Sequence, residues 1–481
     1  MMNVVVNTEL KVPLYKQIAQ QIELHILNGE LAAGSILPTE RDLALRIGVN
    51  RSTITTAYNE LRQTGLVYSK QGSGTVVSEH LWDIVPKNLI NWNHSRNVTF
   101  TPTQPLTKRI LEVSKHPEMI NLANGTLPYE LPEHQVKQIF SNIADAYKNE
   151  SNDFIDWKTR EWLSSHLRKD WHLPTIPNNI LLTSGINQSM LLLIHCLLNP
   201  GDAVAVEGPS YTYTVKLFAS FGIKIVKLPV YEDGIDPEEV RELYKRHRIR
   251  MLMTTPTYQN PSGVVMSLEK RKELLAVSKE LKIPIIEFDC TSPLNFTTEP
   301  VPPSLYELDE TNELVIHIGS FTDTLGPNIE LGWILGSHTI FEHIKDAKYQ
   351  MGLGPSRTTM QFTTSYIESE FWDENLLTLK DTLGHRSHLL HSFLQHYVGD
   401  TITYQRPHGG LNYWCSLNMD LHHENELMEA CIHQGVIIVP GTVYGAEKGF
   451  VRFSIANSED NQIEEGVKRF SKALMNMKKY V

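Results

Sequence analysis

Long apolar runs are missing from this chain of 481 residues. No stretch reaches the ~18 uninterrupted apolar residues that a membrane-crossing helix requires, so no membrane partner is expected. The first residues, Met-Met-Asn-Val-Val-Val-Asn-Thr-Glu, lack the basic flank and apolar core of a secretory signal. Cysteine is scarce too. Cys196, Cys290, Cys415 and Cys431 make no CxxC pair, which argues against a zinc centre or disulfide framework and for a reduced, cytoplasmic protein. The histidines, including the neighbours His422 and His423, show no ligand spacing, and no metal is expected.

What is present is a chain too long for one compact core, and 41% apolar composition is enough to bury several. Charge is unevenly spread. Residues 1–78 carry seven basic and six acidic side chains, a balance of +1, which leaves −12 for the remainder of a chain whose net charge is −11. That asymmetry hints only mildly at a nucleic-acid partner, so motifs must decide.

Leu14, Ile18, Ile22 and Ile26 recur every four residues before Asn28-Gly29, which predicts an amphipathic helix closed by a glycine. Thr39 can cap a second short helix with Leu43 and Ile47 inward, ended by Gly48, and Asp42 completes a weaker capping box. Asn50 is placed to cap a third, from Arg51 to about Gln63, burying Ile54, Ala57, Tyr58 and Leu61. Two short helices about Gly48-Val49-Asn50 make a helix-turn-helix, whose second helix enters a DNA major groove with its first turn leading. Arg51, Ser52, Thr53 and Thr55 lead it and suit phosphates and base edges. Residues 66–77, centred on Lys70-Gln71-Gly72-Ser73-Gly74, read as a hairpin whose Lys70 and Gln71 can touch a phosphate. On spacing alone, an ordinary three-helix bundle with solvated arginines is the alternative reading of this stretch.

The wording is more specific than the spacing. Leu37-Pro38-Thr39-Glu40-Arg41-Asp42-Leu43-Ala44, Val49-Asn50-Arg51-Ser52-Thr53-Ile54 and Gly72-Ser73-Gly74-Thr75 resemble the winged helix of GntR-type bacterial repressors over residues 13–77. The resemblance implies double-stranded operator DNA as partner, contacted by Arg41, Arg51, the start of the third helix at Asn50, and the wing glycines Gly72 and Gly74. A domain over 1–78 and a linker over 79–117, aperiodic and rich in Pro, Asn, Ser and Thr, follow from the pattern.

Beyond the linker, short apolar strands alternate with helices: 180–183, 203–206, 223–226, 251–254, 283–286 and 314–317. Such runs imply a largely parallel sheet covered on both faces, an α/β fold, with a smaller α+β lobe after about Arg357. Thr183-Ser184-Gly185, Asn199-Pro200-Gly201-Asp202 and the run from Thr255 to Gly263 resemble fold-type I aminotransferases of class I/II over 118–481. A winged helix ahead of that fold resembles MocR-type regulators, a branch of the GntR family. Those proteins typically bind pyridoxal phosphate (PLP), sense an amino compound, and in many cases form head-to-tail homodimers.

Residues 319–332 read Gly-Ser-Phe-Thr-Asp-Thr-Leu-Gly-Pro-Asn-Ile-Glu-Leu-Gly and resemble the loop whose lysine holds PLP as a Schiff base. Asp323 stands at the lysine position and Glu330 at that of an arginine. A carboxylate has no amine to condense with an aldehyde. By the same resemblance Phe288 replaces the aspartate that pairs with the pyridine nitrogen, and Cys290 replaces a tyrosine. A one-residue slip would let Asp289 serve instead of Phe288. Other positions agree with the family. Ser184, Gly185 and Asn187 lie at a strand-to-helix turn suited to an anion. Ser320 matches a phosphate-contacting hydroxyl, Tyr211 an aromatic stacked on the ring, Asn260 an asparagine at its phenolic oxygen, and Arg452 the clamp for a substrate carboxylate. Arg452 pairing with Asp323 or Glu330 is the plainer alternative.

Two expected cations become anions beside a dianionic phosphate, so a covalent PLP adduct is not expected and noncovalent binding is disfavoured. The reading is a DNA-binding regulator whose degenerate aminotransferase-like domain dimerises and senses an amino compound. The alternatives are a PLP-dependent aminotransferase with an accessory DNA-binding domain, and a purely structural dimer module.

Overall fold

The computed structural model describes residues 4, 6, 12–27, 31, 34–70, 72, 74–78, 103–127, 131–147, 151–311, 313–419 and 424–478. The chain divides into two compact units, Met1–Val98 and Thr99–Val481.

In the first unit, α1 (Leu14–Leu27), α2 (Glu40–Ile47) and α3 (Arg51–Gln63) precede an antiparallel hairpin of β1 (Val67–Lys70) and β2 (Gly74–Val77). The i, i+4 apolar residues of α1 meet Leu43, Ile54, Ala57, Tyr58 and Leu61 in one core that also takes Leu66, Val67 and Val77 from the hairpin. Thr39 begins α2 as expected: its hydroxyl accepts from the Asp42 N–H at 3.2 Å and donates to the Asp42 carboxylate at 2.7 Å. Gly48 ends α2 at φ +70°, a conformation open to glycine at little cost. Asn50 departs from expectation. It occupies the N-cap position of α3 with extended backbone, yet its side chain makes no capping bond. The predicted cap at Asn28-Gly29 lies outside the described residues.

The second unit has a seven-stranded sheet of β3 (Ile180–Thr183), β4 (Ala203–Gly208), β5 (Lys224–Pro229), β6 (Met251–Thr254), β7 (Ile285–Asp289), β8 (Val315–Ser320) and β9 (Gly332–Leu335), in the order β3-β9-β8-β7-β6-β4-β5. All neighbours are parallel except β9, which runs antiparallel to both β3 and β8. The strands read as unbroken apolar runs because both faces are buried. Ile285 and Val315 point into one apolar cluster; Ile286, Ile316 and Ile318 point into another on the opposite face.

The smaller lobe is an antiparallel sheet of β10 (Ile402–Tyr404), β11 (Asn412–Leu417), β12 (Val439–Pro440) and β13 (Phe450–Ser454), ordered β10-β11-β13-β12. Helices Phe371–Tyr397 and Asp460–Lys478 cover it, burying Leu390 and Phe470 against Tyr413 and Phe453. One segment assigned to the linker differs from its reading: Pro105–Val113 is a helix. Leu106, Ile110 and Val113 recur on one face of it and pack against Val439 and Tyr444.

Candidate functional sites: an exposed helix start and a cleft at the strand ends

In the first unit, the leading turn of α3 stands open. Arg51 and Ser52 are exposed, whereas Thr53 and Thr55 are half-buried. Glu40 organises this turn from the preceding helix. Its carboxylate lies 3.5 Å from the Arg51 Nε and 3.8 Å from an Arg62 nitrogen, and accepts the Thr55 hydroxyl at 2.8 Å. Arg51 nonetheless keeps 72% of its side chain in solvent, so the contact steers the guanidinium without sequestering it. Arg41, Asn50, Lys70, Gly72 and Gly74 are also exposed, the last three on the hairpin tip. Gln71 lies outside the described residues.

In the second unit, the carboxyl ends of the parallel strands converge with turns from several elements, the usual place for a ligand in an open α/β sheet. The helix Gly185–Leu197 begins here. Its start sits against the sheet because Gly332 has no side chain: a Cβ there would come within 2.9 Å of both the Gly185 Cα and the Gly319 carbonyl. Gly185 itself adopts φ +79° to make the turn. Ser184 carries no side-chain cap, and its N–H donates to Gln188 at 2.9 Å.

Tyr211 opens a short turn beside that helix. Its phenol shares a hydrogen bond with Asn187, and its ring is 40% exposed to the cleft. The Tyr211 N–H donates to the Asn260 carbonyl at 3.0 Å, and the Asn260 side chain accepts from Arg452 at 3.3 Å. The loop bearing Asn260 is held from behind. Buried Glu207 accepts from the Thr255 N–H at 3.1 Å and from Gln259 at 3.3 Å, and Gln259 donates to the Pro209 carbonyl at 2.7 Å. Burial pushes the Glu207 carboxyl up to about 7, against the pull of these donors.

Arg452 lies on β13 and is 6% exposed. It donates to the Ala123 and Asn260 oxygens and stacks over the Tyr444 ring at 5.0 Å, and among the described residues its buried Nε has no partner. Among the described residues no carboxylate pairs with it. The alternative in which Arg452 neutralises Asp323 or Glu330 is thereby corrected: neither reaches it. Glu330 is exposed on the loop.

Asp323 belongs to the short turn Thr322–Leu325. It is half-buried just beyond the carboxyl end of β8, and it has no hydrogen-bond or ion-pair partner among the described residues. Burial pushes its carboxyl up to about 7. Its field bears on the Tyr211 phenol and the buried Cys290 thiol, whose own pKa burial raises furthest. Ser320 is fully buried, accepting from the Thr322 N–H at 3.1 Å and donating to the Leu331 carbonyl at 3.3 Å. Its hydroxyl is thus engaged within the loop.

Strand alternation decides the slip at β7. Phe288 shares a face with Ile286 and joins the apolar cluster beneath the Gly185–Leu197 helix. Glu287 and Asp289 take the opposite face. Glu287 accepts from the Leu305 and Tyr306 N–H groups at 2.8 and 2.9 Å, and Asp289 accepts from the Ser292 N–H at 3.0 Å. Asp289 therefore does not stand in for the missing aspartate. Ala123 and Tyr444, which frame Arg452, carry no sequence signal and were reached only through folding. A recess of about 650 Å³ lies elsewhere, along β3, lined by Asp156, Arg160 and Lys348. Its charged groups largely satisfy one another, with Asp156 and Arg160 at 2.7 Å, and it holds none of the converging residues.

The bacterial regulatory proteins of the gntR family match residues 14–77, and the aminotransferase class I and II family matches residues 117–470. The chain belongs to the GntR-type transcriptional regulators with an aminotransferase-like domain. This is the MocR-type arrangement, a DNA-binding regulator by family. YdfD, an HTH-type transcriptional regulator of Bacillus subtilis, is 30% identical over 469 residues, 95% of each chain. The HTH-type transcriptional regulator NorG of Staphylococcus aureus is 25% identical over 440 residues, 90% of this chain and 97% of its own. Among solved structures, the multiple substrate aminotransferase of Thermococcus profundus has a TM-score of 0.74 at 23% identity, over 82% of this chain and all of that one. LysN of Thermus thermophilus, an alpha-aminoadipate aminotransferase, has a TM-score of 0.72 at 25% identity over the same shares. The family is one that binds PLP, but the residues of this regulator fit that cofactor poorly. Residue 323 offers a carboxylate where an amine must condense, and Phe288 offers a ring where a carboxylate must meet the pyridine nitrogen. Among the described residues, no helix is long and apolar enough to cross a membrane.

Proposed function

We propose that this regulator is a cytoplasmic homodimer that binds double-stranded operator DNA through residues 1–78 and senses a small amino compound through residues 118–481, without Schiff-base chemistry. Residues 79–117 join the two. The carboxyl of Asp323, half-buried just beyond the carboxyl end of β8, supports the reading: among the described residues it lacks the hydrogen-bond or ion-pair partner of a structural group. A head-to-tail pairing of chains is the arrangement expected from the family.

On the DNA side, Arg51, Ser52 and Thr53 meet bases and phosphates from the first turn of α3, with Arg41, Asn50, Thr55, Lys70, Gln71, Gly72 and Gly74 supporting from α2 and the wing. Mobility-shift assays against the regulator's own promoter should show saturable, sequence-dependent binding; uniform weak binding to any duplex defeats the proposal. Arg51→Ala should weaken operator binding by about tenfold or more, the scale of one lost base or phosphate contact, while leaving the fold intact because the side chain is exposed. An unchanged operator affinity would remove Arg51 from the interface.

On the ligand side, incubation with PLP followed by borohydride should leave no phosphopyridoxyl adduct on any lysine of the cleft. A stoichiometric adduct found by mass spectrometry would restore the aminotransferase reading.

A further inference from the structure

Glu40 places a negative charge in a surface that has to meet phosphates. It is the first residue of α2, and its side chain is only 21% exposed. One carboxylate oxygen accepts the Thr55 hydroxyl at 2.8 Å and lies 3.5 Å from the Arg51 Nε. The other lies 3.8 Å from a terminal nitrogen of Arg62, which donates to the Thr75 hydroxyl of β2 at 3.1 Å. The second terminal nitrogen of Arg62 donates to the Asn59 side chain at 2.6 Å. Buried Tyr58 donates to the Pro38 carbonyl at 2.8 Å and fixes the start of α2 against α3. One carboxylate therefore joins the leading turn of α3, its last turn and a strand of the wing.

A charge of this sign opposes sequence-independent binding, which grows with the number of phosphates neutralised. Its value lies in readout. An arginine with 72% of its side chain in solvent, left unanchored, settles on any phosphate in reach. Arg51 is instead steered through its Nε, and its two terminal nitrogens make no hydrogen bond among the described residues. That fork is the group that pairs with the O6 and N7 acceptors of guanine.

We infer that Glu40 is a positioning residue that sets the sequence specificity of this regulator, acting through Arg51 and the wing and not on DNA itself. It aims Arg51 at base edges and withholds one unit of positive charge from duplex of any sequence. Through Arg62 it keeps the wing in step with α3. The inference rests on the reading of residues 1–78 as the operator-binding module.

The test uses the full-length regulator and two duplexes of equal length, its own promoter region and a scrambled copy. Binding is followed by fluorescence anisotropy from about 50 to 200 mM salt. Glu40→Gln keeps the size and an oxygen for Thr55 but loses the charge. Its affinity for the scrambled duplex should rise about twofold or more, and the slope of log affinity against log salt should steepen by about one. Its preference for the promoter should fall about tenfold. Glu40→Asp keeps the charge but is too short to hold both Thr55 and Arg51. It should retain the parental slope and scrambled-duplex affinity while losing promoter preference about threefold or more. A merely structural Glu40 weakens both duplexes by the same factor, and that result overturns the inference. So does a promoter preference that stays within about twofold of the parent in Glu40→Gln, or is fully parental in Glu40→Asp. In those cases a parent that prefers its promoter leaves the operator-binding reading standing. A parent with no such preference removes that reading, and the inference with it.

Discussion

Replacing Arg271 by leucine is expected to destabilise the second unit by about 3–5 kcal/mol, because the change strands an array of buried polar groups at once. Arg271 lies on helix Leu268–Leu281 and is fully buried. Its guanidinium donates to the carbonyls of Met266 (3.0 Å), Pro303 (3.0 Å) and Pro256 (2.9 Å) and to the Thr257 hydroxyl (3.0 Å). It is also the cation facing the buried carboxyls of Glu287 and Asp289. Leucine fills much of the volume but satisfies no acceptor, and lysine has one point charge where a planar fork is needed. Arg271→Lys should therefore recover less than half of the loss. Six of the eight tryptophans, Trp157, Trp162, Trp171, Trp333, Trp372 and Trp414, lie in the second unit, so tryptophan fluorescence during urea unfolding reports mainly on that unit. A loss below about 1 kcal/mol would show that the acceptors find other donors. Function should follow stability, since Pro256 and Thr257 begin the loop that presents Asn260. Ligand-induced thermal shifts should shrink in the variant even at temperatures where it remains folded.

His317→Met should stabilise the regulator, and by an amount that grows as pH falls. His317 sits on β8 beside Glu287 in register, fully buried, with both ring nitrogens unpartnered among the described residues and the Tyr306 ring edge-on at 6.0 Å. A neutral imidazole without hydrogen bonds costs roughly 1–3 kcal/mol relative to an apolar side chain of similar size. Burial lowers its pKa from 6.5 to about 3. The folded state thus binds fewer protons than the unfolded chain between those values. The proton-linked penalty of His317 is absent above pH 6.5 and grows as pH falls toward 3. That difference amounts to about 4–5 kcal/mol at the acid end. Glu207, Glu287 and Asp323 work in the other direction, since burial raises each of them to about 7. They favour the folded state as pH drops below 7, which is why the comparison must be between variant and parent at each pH. A constant difference from pH 7 to pH 4 would mean that the imidazole has found a water or a partner.

Local chemistry made the first unit readable. Thr39, Gly48 and the glycines of the hairpin each punctuate the chain through their own backbone preferences, and the apolar spacing of α1 and α3 states which side is buried. Only the Asn50 cap was misjudged, because a side chain able to cap can also turn to solvent. In the second unit the six parallel strands stood out as apolar runs, but β9 did not. Gly-Trp-Ile-Leu is four residues long and has no crossover helix before it, and it becomes a strand only because β3 and β8 leave a gap that it fills. The helix Pro105–Val113 was hidden within a polar segment, since three apolar residues suffice when a neighbouring lobe supplies the rest of the core.

For the cleft, sequence alone settled the chemistry at position 323: no fold can give a carboxylate the reactivity of an amine. It also named most of the residues around the space, since each belongs to a short motif with its own local wording. Tertiary structure decided their relations. Strand alternation turned Asp289 away from the cleft and Phe288 into the apolar layer, a two-residue periodicity that sequence leaves open to a slip of one. Chain closure over more than three hundred residues set Arg452 against Ala123, with its near neighbour Tyr444 stacked on it, out of reach of Asp323 and Glu330. Which residues carry charge is written in the chain; which charges remain unpaired depends on distances that only packing creates.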